Sequence, residues 1–125
     1  MKFTDKEIEL CKEIAKYYIK PIKYGDWFCY VNYENENYIR IYQKEPYAMP
    51  EYDRTFPLWS LEDCLGWLKE KEFIISIMGQ YPDDESWLLN CGRKHSDDDL
   101  HHEGKTPLEA CLKTILEILK KEQKC

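Results

Sequence analysis

No stretch of this sequence approaches the roughly 20 consecutive apolar residues that a membrane-crossing helix needs. The opening residues, Met1-Lys2-Phe3-Thr4-Asp5, hold no apolar run of signal-peptide length. Both absences predict a cytoplasmic protein with no membrane attachment. The sequence also lacks a C-x-x-C pair, an H-E-x-x-H helix face and a Gly-rich phosphate loop, its five glycines being isolated at 25, 66, 79, 92 and 104. Structural zinc, zincin-type hydrolysis and P-loop chemistry therefore have no footing here. Dense Lys/Arg runs with interleaved aromatics are missing too. With 18 basic and 24 acidic side chains the formal net charge is −6. Such a surface repels phosphate backbones, so general nucleic-acid binding is not expected.

What the chain does hold is an apolar fraction of 43% and a charged fraction of 34% over 125 residues. That balance is globular, and the length suits one domain spanning residues 1–125. Ten tyrosines and four tryptophans supply large rings with polar tips, which suit sheet faces and interfaces. Six cysteines stand at 11, 29, 64, 91, 111 and 125. Cys11, Cys64 and Cys111 fall on apolar helix faces, and Cys29 and Cys91 fall inside strands. They read as reduced thiols packed as small hydrophobes.

Three segments carry helix signals. Thr4 and Glu7 form a capping box before a helix predicted from Asp5 to about Ile19, with Phe3 and Ile8 as a hydrophobic staple. Ser60 caps a second helix from Leu61 to about Lys69, whose stripe is Leu61, Cys64, Leu65 and Leu68. Gly66 and Trp67 lie off that stripe. Thr106, Pro107 and Glu109 occupy the N-cap, N1 and N3 positions of a third helix. Between the first two helices, residues 27–33 and 38–43 flank a polar loop and predict a hairpin. After the second helix, residues 73–78 and 87–91 predict another. Residues 44–56 read as loop, and residues 92–104 as a solvated connection. The expected fold is α+β: an antiparallel sheet of about four strands with three helices on it, in the order α-β-β-α-β-β-α.

Few segments could carry chemistry. His95, His101 and His102 sit beside Asp97, Asp98, Asp99 and Glu103. These residue types bind zinc, manganese or iron, but consecutive residues in a loop do not make fixed ligands. Asp83, Asp84 and Glu85 form an acidic loop tip rather than a positioned acid/base pair. No cofactor, metal ligand or catalytic residue is assigned. The aromatic stretch carries more weight: Tyr42, Tyr52, Arg54 and Trp59, with Tyr81 and Trp87, are the candidate partner- or ligand-binding residues.

Gly25-Asp26-Trp27, the helix Phe56-Pro57-Leu58-Trp59-Ser60-Leu61-Glu62-Asp63-Cys64-Leu65-Gly66-Trp67-Leu68, and the start Gly104-Lys105-Thr106-Pro107-Leu108-Glu109-Ala110 resemble small uncharacterised phage and prophage proteins similar to the phage α/β sandwich domain. The resemblance implies helices around a sheet and, by association, a host-interaction role; it implies no activity. The leading expectation is a non-enzymatic interaction protein, phage- or prophage-encoded, that binds a protein partner or self-associates through an aromatic surface. One alternative is a protein that binds or sequesters a small nucleotide-like ligand through aromatic rings joined to Arg40, Arg54 or Arg93. Another is a metal-dependent enzyme that uses residues 95–103.

Overall fold

The computed structural model describes residues 3–23, 25–31, 34, 36–41, 55–80, 85–93 and 99–123. Its elements, in chain order, are α1 (Asp5–Ala15), β1 (Trp27–Val31), β2 (Asn37–Ile41), β3 (Thr55–Pro57), α2 (Leu61–Glu70), β4 (Phe73–Gln80), β5 (Trp87–Arg93), β6 (Asp99–Gly104) and α3 (Pro107–Gln123). The protein is α+β, with three helices and two hairpins in the expected order. Two further strands, β3 and β6, join them. Pairing among the described residues gives two three-stranded antiparallel sheets, β2-β1-β3 and β4-β5-β6, rather than one of about four strands. The chain divides into two compact units, Met1–Trp59 and Ser60–Cys125.

In the first unit the capping box at α1 is complete. Glu7 N–H donates to Thr4 Oγ1 (3.1 Å), and Thr4 N–H donates to Glu7 Oε1 (2.7 Å). The helix stops at Ala15, four residues before its expected end at Ile19. Tyr17 and Tyr18 N–H both donate to the Ile14 carbonyl, closing the turn. Lys20 precedes Pro21, a position that disfavours the helical region, so the chain leaves the helix early. The buried residues Ile8, Leu10, Cys11 and Ile14 face a core with Cys29, Phe56 and Leu58. Trp59 N–H points at Cys11 Sγ (3.4 Å), and the Trp59 ring sits 6.0 Å from that of Tyr18.

In the second unit, Ser60 and Asp63 form a full capping box on α2. Trp67, expected off the apolar stripe, is buried with Cys64 and Leu68. The apolar face is thus wider than the one inferred from leucine spacing. Helix α2 ends with Glu72 in the left-handed region at φ 67°. Helices α2 and α3 pack together, and α3 lies on β5 and β6. Residues 99–104, expected as solvated connection, are strand β6, fully paired to β5 from Asp99↔Gly92 to Gly104↔Trp87. Strand β4 pairs with the other side of β5, but its register slips between Ile75 and Ile77, leaving Ser76 as an extra residue. Leu89, Cys91 and Leu100 are buried with Cys111, Leu112 and Ile115 in one core.

Candidate functional site

Side chains on paired strands alternate between two faces, so register decides which residues meet. In the first sheet, Cys29 pairs with Ile39 and Phe56, and this face holds the core. The opposite face is built from the other pairs, Phe28↔Arg40 and Tyr30↔Tyr38. It brings three aromatic rings and one guanidinium together on two strands. Tyr38 is 38% exposed. The Arg40 guanidinium lies 5.6 Å from the Tyr38 ring centroid, a cation–π arrangement. Arg40 Nη1 also donates to the Ile39 carbonyl (3.1 Å), and Tyr38 Oη donates to Glu36 Oε2 (3.3 Å). These contacts hold the two exposed side chains in place, which lowers the entropy cost of binding through them.

The expected site residues fare differently. Tyr42, Tyr52, Arg54 and Tyr81 lie outside the described residues. Trp59 is 1% exposed and belongs to the core of the first unit; a ring sealed from water cannot contact a partner. Trp87 is half-buried at the start of β5, opposite Gly104. Phe28, Tyr30 and Tyr38 are not among the expected site residues and Arg40 enters only the small-ligand alternative, although the alternation in Tyr38-Ile39-Arg40 places Tyr38 and Arg40 on one face. What the sequence withheld was the register that sets Phe28 and Tyr30 beside them.

The histidine-rich segment resolves into separate contacts. Adjacent strand residues point to opposite sides of a sheet, so His101 and His102 diverge. His101 Nδ1 lies 2.6 Å from Asn90 Oδ1, and its Nε2 lies 3.4 Å from Glu103 Oε1. His102 Nε2 meets Glu117 Oε2 of α3 at 3.2 Å. His95 lies outside the described residues. Among those described, no group of three His, Cys, Asp or Glu side chains is arranged to hold a metal.

The five described thiols, Cys11, Cys29, Cys64, Cys91 and Cys111, are all buried and none forms a disulfide. Burial pushes the Cys11 and Cys111 thiols up to about 12. The same desolvation raises Cys29 and Cys91 to about 11. A thiol so shifted is not a nucleophile at neutral pH. No described helix is long and apolar enough to cross a membrane.

No family model and no solved structure matches the chain. Curated proteins do. A 70-residue segment, 54% of this chain, is 31% identical to ankyrin repeat protein B19 of vaccinia virus strain Western Reserve. Segments of the same length are 31% and 30% identical to ankyrin repeat protein B18 of strains Ankara and Copenhagen. In each case the match spans 12% of the viral protein. The likeness to phage and prophage proteins is thereby overturned: the relatives found are poxviral, and the motifs that suggested phage proteins are helix caps and core positions, which unrelated folds share. One sequence signal pointed the other way. Thr106-Pro107-Leu108 reproduces the opening of the ankyrin signature T-P-L-H-x-A, with Glu109 at the histidine position and Cys111 at the final small one. Here that opening starts a 17-residue helix packed on α2 and on strands β5 and β6.

Proposed function

We propose that the protein is a non-enzymatic binding module whose partner is another protein. Its contact surface is the outer face of the first sheet, formed by Phe28, Tyr30, Tyr38 and Arg40. The observation that carries the reading is the pairing Phe28↔Arg40 beside Tyr30↔Tyr38, which gathers residue types enriched in interface hot spots on one face. The similarity to ankyrin repeat proteins supports it, because repeat proteins of that kind present extended binding surfaces. The matching partner surface has an apolar or aromatic group to lie on the rings and a carboxylate to meet Arg40. Self-association through the same face is the second form of this reading.

Affinity purification of the wild-type chain and of the double variant Tyr38→Ala/Arg40→Ala, with light scattering across a concentration series, tests it. A partner or an oligomer present for the wild type and lost in the variant is the expected result. Identical partners and identical mass for both proteins would reject the surface.

A further inference from the structure

We infer that the second unit carries a small oxyanion-binding pocket, which takes a phosphate or carboxylate group between Arg93 and Lys121. The pocket is a cavity of about 60 Å³ lined by Phe73, Arg93, Leu100, Ile118, Lys121 and Glu122. A single water needs about 10–15 Å³ of such space, so there is room for a group of a few heavy atoms.

Arg93 closes strand β5, directly opposite Phe73 of β4. Its guanidinium lies 4.6 Å from the centre of the Phe73 ring. That stacking orients the planar donor fork before any ligand arrives. Arg93 Nε is buried and has no hydrogen-bond partner among the described residues. No described carboxylate pairs with Arg93 either. Buried donors in folded proteins are nearly always satisfied, and a charged one more so, which makes Arg93 Nε a donor lacking an acceptor among the described residues.

The charges nearby favour an anion. Lys121 adds a second cation to the lining, and the Glu122 carboxylate is engaged by Lys71 Nζ at 3.5 Å. The charged residues that line the cavity, Arg93, Lys121 and Glu122, carry a formal charge of +1, two cations less one carboxylate, in a chain whose net charge is −6. Leu100 and Ile118 give the cavity apolar walls, which lower the local dielectric and strengthen the charge–charge attraction. Arginine with an aromatic shelf and a flanking lysine suits compact planar or tetrahedral oxyanions.

The test follows the Arg93 Nε–Hε resonance of the full chain by ¹H–¹⁵N NMR at low ionic strength. Inorganic phosphate and acetate are titrated separately, which distinguishes a phosphate site from a carboxylate site. A saturable shift with either anion is expected. Lys121→Gln should weaken binding about two- to fivefold, and Arg93→Gln about tenfold or more. Lys121→Gln changes only an exposed residue, so the test stands even if Arg93→Gln fails to fold. No saturable shift with either anion, or undiminished affinity in Lys121→Gln, overturns the proposal. Neither readout involves a protein partner, so the result is independent of the surface on β1 and β2.

Discussion

Replacing Gly104 with alanine should destabilise the protein, and the structure states why. Gly104 ends β6 two residues before Thr106, and its backbone runs against the start of α3. A Cβ built there would sit 2.5 Å from Glu109 Oε2, 2.8 Å from Glu109 Cβ and 2.8 Å from the backbone nitrogen of Ala110. The carboxylate cannot simply swing aside: it accepts the Lys105 N–H and is itself buried. The Ala110 nitrogen belongs to the helix backbone. The strand end and the helix start must therefore move apart by several tenths of an ångström. Overpacking of this kind costs about 1–3 kcal/mol. At this chain length that lowers the melting temperature by roughly 3–5 °C per kcal/mol. Gly66 is the internal comparison. It sits inside α2, and among the described residues nothing lies within 4 Å of where a Cβ would stand. No close-packed neighbour explains that glycine, so Gly66→Ala should stabilise by about 0.5–1 kcal/mol. Urea and thermal unfolding followed by circular dichroism measure both. If Gly104→Ala matched the wild type, or if both variants moved the same way, the close approach at the β6–α3 junction would be refuted.

Other outcomes follow from the same geometry. Thr106→Ala removes the acceptor of the Glu109 N–H bond (3.0 Å) and should cost about 1 kcal/mol in urea unfolding. Tyr38→Ala/Arg40→Ala should cost no more than about 1 kcal/mol, since an exposed cation–π contact contributes little, while abolishing partner capture. At pH 8, Cys11, Cys29, Cys91 and Cys111 should react with a thiol reagent roughly a hundredfold more slowly in the folded than in the unfolded chain. Because those thiols stay protonated when folded and ionise from an ordinary value of 9.0 when unfolded, stability should fall as pH rises through 9 towards 11 and 12. An unfolding midpoint in urea that did not decline between pH 8.5 and 10.5 would contradict that sign.

Local chemistry was legible in the sequence and long-range pairing was not. Thr4 with Glu7, Ser60 alone, and Thr106 with Glu109 announce helix starts because a cap is a local signal within three residues. The end of α1 was less readable, since Tyr17 and Tyr18 neither favour nor forbid a further turn. Strand β6 was hidden for a different reason. Asp99-Leu100-His101-His102-Glu103 has almost no intrinsic strand preference, and it is extended because β5 offers it a ladder and α3 covers Leu100. The candidate surface shows the same division. Tyr38 and Arg40 could be paired by parity alone, whereas their meeting with Tyr30 and Phe28 depends on a register fixed across the hairpin. Arg93 drew notice only as one of three arginines; its stacking on Phe73 depends on the β4–β5 pairing.

The extra residue at Ser76 has a consequence for how the chain behaves in a crowded solution. Among the described residues strand β4 lies at the edge of its sheet, and its apolar, β-branched Ile74 and Ile75 would template the addition of further strands. The slip at Ser76 puts the halves of that edge out of step, so an incoming strand that matches one half mismatches the other. On this geometry the irregularity should hinder stacking into fibrils. Shortening β4 by deleting Ser76 would tidy the ladder and, in doing so, open the molecule to polymerisation.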